Sequence, residues 1–223
     1  MASTRTYGEA CAAAHALDLV GERWAMLVVR ELMLGPKRFT DLRAGIVQAS
    51  PNVLSQRLRE LEETGVIRRR RLPPPVSARV YELTEWGREL EPALVALGRF
   101  GARSPFRVPD AGMSVDSHVL ALGAMFEPEL AGDLDATIQL RLGEDRFRIG
   151  ISGGLLTHVR GEAPRPDAVI ETDPATLAAL IWMGLPLAQA ERSGDVKVEG
   201  DRKLVKRFLG LFPLPPVAVP ALA

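Results

Sequence analysis

The chain has 223 residues, 47% of them hydrophobic and 25% charged, a composition ordinary for a globular protein and long enough for two modest domains. Formal net charge is zero, no window holds 18 uninterrupted apolar residues, and the single cysteine cannot close an internal disulfide, which argues against a membrane span and a disulfide scaffold. With no apolar signal core near its start, the chain is expected to be cytoplasmic. The zero charge conceals an asymmetry: residues 1–104 carry 16 Lys and Arg against 12 Asp and Glu, a balance of +4, and the remainder carries −4. Only the first half has the sign that attracts phosphate.

Residues 9–20 read as a helix with Ala10, Ala13, Ala14, Leu17 and Val20 on its apolar side. A second helix is predicted over 22–34 through Trp24, Leu27, Val28 and Leu32, stopped by Gly35-Pro36. Phe39 is expected in the core, and Thr40 suits the cap of a short helix over 41–45. Ser50 is a good N-cap and Pro51 fits the first helical position, where its missing N–H costs nothing. Leu54, Leu58 and Leu61 then recur at i, i+4 and i+7, one apolar stripe. Asn52, Ser55, Gln56 and Arg59 fall on the opposite face, with side chains suited to base edges in a major groove. Gly65 ends this helix, and strands are predicted over 66–72 and 79–83, joined by PPPVSA.

Helix, stop and basic hairpin in that order describe the recognition helix and wing of a winged helix-turn-helix. Ser50 joins the DNA-facing set at the helix start, while Lys37, Arg38 and Arg43 suit phosphate contacts. The run Arg68 to Arg71 alternates across its strand, so Arg68 and Arg70 can face DNA together, and Arg79 completes a basic wing. A solvated charge run is the plainer reading of the same residues. After the wing, Thr84 caps a helix predicted over 85–103, with Leu90, Leu94, Leu97 and Phe100 or Gly101 along one side. Pro92 should kink it. The apolar side of such an edge helix needs a partner, which implies pairing of two protomers.

Residues 105–114 have the composition of a linker, and the pattern then changes. A helix over 115–126 is followed by alternating segments at 135–142 and 146–152, a hairpin turning at Gly143-Glu144-Asp145. Strands at 155–160 and 168–171, a helix opening at Asp173-Pro174, a helix over 185–191, a strand at 196–199 and a helix after Gly200-Asp201 complete the second half. Residues 213–223 form a Pro-rich tail. The whole is α+β: a winged helix-turn-helix over 1–104, then a domain over 115–212 with a curved sheet of about five strands that can enclose an apolar cavity. Phe126, Phe147, Trp182, Met183, Leu185, Leu187, Phe208 and Phe212 are the candidate pocket residues, though plain core is the commoner role of apolar residues so spaced. His118 and His158 could orient a polar group on a ligand.

Several motifs now carry a resemblance. Cys11, LDLVGERWAMLVVREL (17–32), GPKRFTDLR (35–43), SPNVLSQRLRELEETGVIRRR (50–70) and VYELTEWGREL (80–90) occur in the order typical of the HxlR family of winged-helix transcriptional regulators. The resemblance covers residues 7–104 and implies a homodimer on a roughly palindromic double-stranded DNA operator, its two recognition helices about 34 Å apart. AVIETDPATLAALI (168–181) and GDVKVEGDRKLVKRFLGLF (194–212) resemble the sterol-carrier-protein family, which implies a pocket for a hydrophobic small-molecule effector. Cys11 stands where electrophile- or oxidant-sensing members of the first family keep a reactive cysteine, with His15 one turn on as a source of positive charge.

No HExxH, CxxC, G-x-S-x-G or phosphate-binding glycine loop occurs, so neither an enzyme nor a metal or cofactor site is expected. The sequence leads to a DNA-binding regulator whose operator affinity responds to the effector. Two other readings stay open: a lipid-binding or carrier module whose winged helix makes protein contacts, and a regulator that senses through Cys11.

Overall fold

The computed structural model describes residues 6–75, 77–106 and 112–219. The chain divides into two compact units, Met1–Leu94 and Val95–Ala223. The expected linker over 105–114 and tail over 213–223 lie partly outside the described residues.

The first unit begins with α1 (Ala12–Val20), α2 (Ala25–Leu32) and α3 (Phe39–Gly45). α1 starts later than the periodicity predicts because the preceding chain folds back: the Asp18 carboxylate accepts from Tyr7 N–H and from the Thr6 hydroxyl, both at 2.9 Å. α2 also starts late, since Trp24 has φ 78°, outside the helical region, under the Arg23 guanidinium. Thr40 is not the cap of α3. Arg38 takes that place, its N–H bonded to the Asp41 carboxylate at 2.9 Å, and the helix begins two residues earlier than expected, at Phe39.

α4 (Pro51–Glu63) starts as its sequence dictates, with Ser50 Oγ accepting from Val53 N–H and Pro51 at the first position. Leu54, Leu58 and Leu61 are all buried against Val28, Val29, Leu32 and Leu42. Gly65 reverses the chain at φ 78°, a value L side chains rarely adopt. β1 (Ile67–Arg71) and β2 (Arg79–Leu83) then pair antiparallel, and Lys37 adds a single bridge to Tyr81. The single long helix expected next is two: α5 (Glu85–Arg88), capped by Thr84, and α6 (Glu91–Ala102). Pro92 has no N–H to donate and its ring would clash with the carbonyl four residues back, so the chain breaks before it instead of kinking.

In the second unit α7 (Val115–Met125) and the short α8 (Pro128–Ala131), absent from the sequence reading, lead into β3 (Ala136–Leu142), β4 (Asp145–Ser152), β5 (Leu155–Arg160) and β6 (Ala168–Thr172). α9 (Pro174–Trp182), α10 (Leu187–Ser193), β7 (Val196–Gly200) and α11 (Arg202–Leu209) follow. The five strands run in the order β5-β4-β3-β6-β7, with β3 and β6 parallel and every other pair antiparallel. Gly153 and Gly154, at φ 56° and 74°, make the two-residue turn between β4 and β5. Register places Ile138, Leu140 and Leu142 on one face with Phe147, Ile149, Ile151 and Ile170, all buried beneath the helices. Gln139 points to the other face yet is buried: its amide donates to the Leu140 and Phe147 carbonyls and accepts from Ala163 N–H, tying down the chain after β5. No helix among the described residues is long and apolar enough to cross a membrane.

Candidate nucleic-acid interface and second-domain site

α4 separates its polar residues into two sets. Asn52, Ser55, Gln56 and Arg59 are exposed on the side away from the leucine stripe. Gln56 Nε2 donates to Glu60 Oε1 at 3.0 Å, so this amide is steadied from one turn below. Arg57 behaves differently: it is buried and ion-paired with Glu60 at 2.6 Å and Glu22 at 3.5 Å, a tie within the fold. Ser50 is exposed, with its hydroxyl committed to the cap. Arg38 and Arg43 are exposed at either end of α3.

Lys37 is placed otherwise than a phosphate contact requires. Its side chain is only 14% exposed and its Nζ lies 2.6 Å from Oε2 of the fully buried Glu31, which also meets Arg30. The loop after α2 turns the ammonium inward, where a buried carboxylate needs a partner. The wing is also divided. Arg68, Arg70 and Glu82 share one face of the hairpin, while Arg69, Tyr81, Arg71 and Arg79 share the other. Arg79 therefore does not extend the face formed by Arg68 and Arg70. Arg69 stacks over Tyr81 at 5.1 Å and pairs with Glu62, so it braces the wing against α4. Glu82 went unnoticed in the sequence; its one local signal is a carboxylate among the apolar residues of Val80-Tyr81-Glu82-Leu83.

Cys11 is exposed at the N-cap of α1. Backbone N–H groups of Ala14 and Ala13 pull its thiol below the ordinary value. The helix start supplies this, and His15 is not needed.

In the second unit, three of the eight pocket candidates stack on one another: Phe212 meets Phe208 at 5.1 Å and Phe126 at 6.2 Å between ring centroids. Trp182 Nε1 donates to the Phe212 carbonyl at 3.0 Å. Phe147 is buried under the Arg160 guanidinium, 4.6 Å above its ring, and Arg160 also binds the carboxylates of Asp116 and Asp145. Leu187 is buried and Leu185 half-buried. Met183 stands apart: it follows the last residue of α9, and is 72% exposed. His118 Nδ1 lies 2.9 Å from the carbonyl of Ser114, the cap of α7, and His158 packs on Gly123. The pairing of buried Asp116 with exposed Arg160 was not legible, since the two residues are far apart in sequence and meet only through packing of α7 on β5.

Three helices, a fourth held by a leucine stripe and a two-stranded wing define a winged helix-turn-helix, here followed by an α+β domain. Residues 19–106 match the family described as HxlR-like helix-turn-helix, and residues 111–218 match the Alkyl sulfatase C-terminal family, whose fold is sterol-carrier-like. The HTH-type transcriptional regulator sll1512 of Synechocystis sp. is 38% identical over 98 residues, which span 43% of this chain and 70% of that protein. The HTH-type transcriptional regulator YodB of Bacillus subtilis is 40% identical over 76 residues, 34% of this chain and 68% of that one. A double mutant of the sec-alkyl sulfatase PisA1 aligns at 24% identity and a TM-score of 0.39, covering 52% of this chain and 17% of that chain. The chain belongs to the HxlR-like helix-turn-helix family of transcriptional regulators.

Proposed function

We propose that the protein is a cytoplasmic, homodimeric, DNA-binding transcription regulator whose operator affinity changes when a hydrophobic small molecule binds its C-terminal domain. The observation that carries the DNA-binding part is the partition of α4. Asn52, Ser55, Gln56 and Arg59 face outward, while Arg57 and the leucines face the core. A few bidentate contacts from such a face, each worth about 1–3 kcal/mol in discrimination, suffice for a preferred site. Arg38 and Arg43, beside this helix, suit phosphates and fix orientation. Arg68 and Arg70 form the basic side of the wing, and Arg79 serves its other side.

Homodimerisation is supported by α6, of which no residue is buried and on which Leu97 and Phe100 are exposed. The effector part is supported by the match to a sterol-carrier-like domain and by its aromatic interior. The ligand favours one conformation of the dimer, and a preference of about 1.4 kcal/mol changes operator affinity tenfold. Relief of repression by ligand is the expected sign.

A second reading has its own observation. Cys11 is exposed and its thiol is lowered by the start of α1, as a thiol that reacts with oxidants or electrophiles would be. Cys11→Ser separates the two: it abolishes an oxidant response if that reading holds and leaves the response to a hydrophobic ligand intact. The test of the main reading is selection of genomic fragments by the purified protein. Enrichment of one two-fold-symmetric site is expected. Recovery of fragments in proportion to their abundance would overturn it.

A further inference from the structure

Glu82 joins β2 to the two outward arginines of β1. It stands directly opposite Arg68 in the hairpin register, and Arg70 lies two residues further along the same face. Glu82 Oε1 accepts from Arg68 Nε at 2.7 Å, and Oε2 accepts from Arg70 Nε at 2.6 Å. Each oxygen serves one guanidinium. The three members differ in exposure: Glu82 is buried at 6%, while the Arg68 and Arg70 side chains remain 66% and 44% exposed.

We infer that Glu82 is a positioning residue for DNA binding, holding Arg68 and Arg70 side by side toward the phosphate backbone and cancelling one of their two charges. The inference rests on the proposed DNA-binding function. Arginine side chains lose considerable rotamer freedom on binding, and a pair already held by one carboxylate loses less. The fixed spacing favours phosphates presented at one separation, whereas two free arginines would attract any duplex. Cancelling one charge lowers the general affinity that would otherwise compete with the operator. Glu82 therefore trades general affinity for selectivity.

The test measures the binding of selected and scrambled duplexes across a salt series, for wild type, Glu82→Gln, and the double variant Arg68→Lys/Arg70→Lys. Glu82→Gln removes the counter-charge. It is expected to tighten scrambled-duplex binding several-fold, to steepen the slope of log K against log salt by about 0.9, and to lower the selected-to-scrambled ratio by at least threefold. The lysine pair keeps the charge but cannot form two planar Nε contacts. It is expected to lower the ratio with the slope unchanged, and because both positions are exposed it tests the geometry even if Glu82→Gln fails to fold. An unchanged ratio in the folded variants would overturn the inference with the DNA-binding function intact. If wild type preferred no fragment, the operator-binding proposal would fall, while the slope on scrambled duplex would still decide the charge role of Glu82. Absence of any DNA binding by wild type would overturn both.

Discussion

Lys37 Nζ lies 2.6 Å from the Glu31 carboxylate, whose side chain is wholly buried inside the winged domain. Removing one partner of a buried pair usually costs about 3–5 kcal/mol, because it strands the other charge. Arg30 still reaches Glu31, at 2.9 Å, so Lys37→Ala is expected to cost less, on the order of 2 kcal/mol. Urea denaturation monitored by circular dichroism checks this. A variant as stable as wild type but weaker on DNA would make Lys37 a phosphate contact after all.

Asp173 caps α9, its carboxylate accepting from Ala175 N–H at 2.8 Å and Thr176 N–H at 3.0 Å. Burial pushes this carboxyl up, but the Thr176 hydroxyl and the two backbone N–H groups outweigh it and hold it below the ordinary aspartate value. A depressed folded value means the stabilisation is complete above the unfolded value of about 3.9 and is lost as pH falls through the folded one. Asp173→Ala should cost about 1 kcal/mol at neutral pH and nothing once the wild-type carboxyl is protonated. Paired melting curves from pH 7 down to about pH 2.5 would reveal the convergence, and a gap constant across that range would contradict the capping role.

Phe212 is buried between Phe208 and Phe126, and its carbonyl takes the Trp182 N–H. Phe212→Ala is expected to destabilise the second domain by about 3–5 kcal/mol. Trp182→Phe removes the hydrogen bond and part of the half-buried indole's contact area, and should cost about 1–2 kcal/mol. If the aromatic interior takes the effector, Trp182→Phe shifts the ligand's half-maximal concentration while DNA binding without ligand stays at the wild-type level. Equal loss of both would point to simple loss of folding.

Phe100 is 79% exposed on α6, near Leu97. Leu97→Ser combined with Phe100→Ser should convert a dimer to a monomer, read by light scattering at micromolar concentration. A wild-type monomer, or a dimer unaffected by both changes, would remove α6 from the account.

Local signals in the sequence were reliable where one element decides the outcome. Ser50, Pro51 and the spacing of Leu54, Leu58 and Leu61 specify α4 without help from the rest of the chain, so the outward face of that helix was legible too. Pro92 was recognised as a disturbance, but a kink and a break look alike until the Glu89-Leu90 turn is seen. Thr40 and Asp41 competed for one helix start, and the longer reach of the carboxylate back to Arg38 N–H decided it. Contacts made across the fold were not legible. The inward turn of Lys37, the shared grip of Glu82 and the burial of Gln139 on the outer sheet face all depend on segments that meet only after folding. In the second domain, alternation identified the strands, but apolar spacing could not separate packed Phe208 and Phe212 from exposed Met183.

The central claim is that α4 reads DNA through its outward face, and Arg59 is its longest exposed side chain there. The most direct measurement is fluorescence-anisotropy titration of a duplex from just upstream of the coding sequence, or of the best selected fragment. It would be run near 0.15 M salt with scrambled duplex as competitor, for wild type and Arg59→Ala. The account predicts a preference for the specific duplex that Arg59→Ala reduces by about 1–3 kcal/mol, with scrambled-duplex binding little changed. Binding indifferent to sequence, or a preference that Arg59→Ala leaves intact, would contradict it.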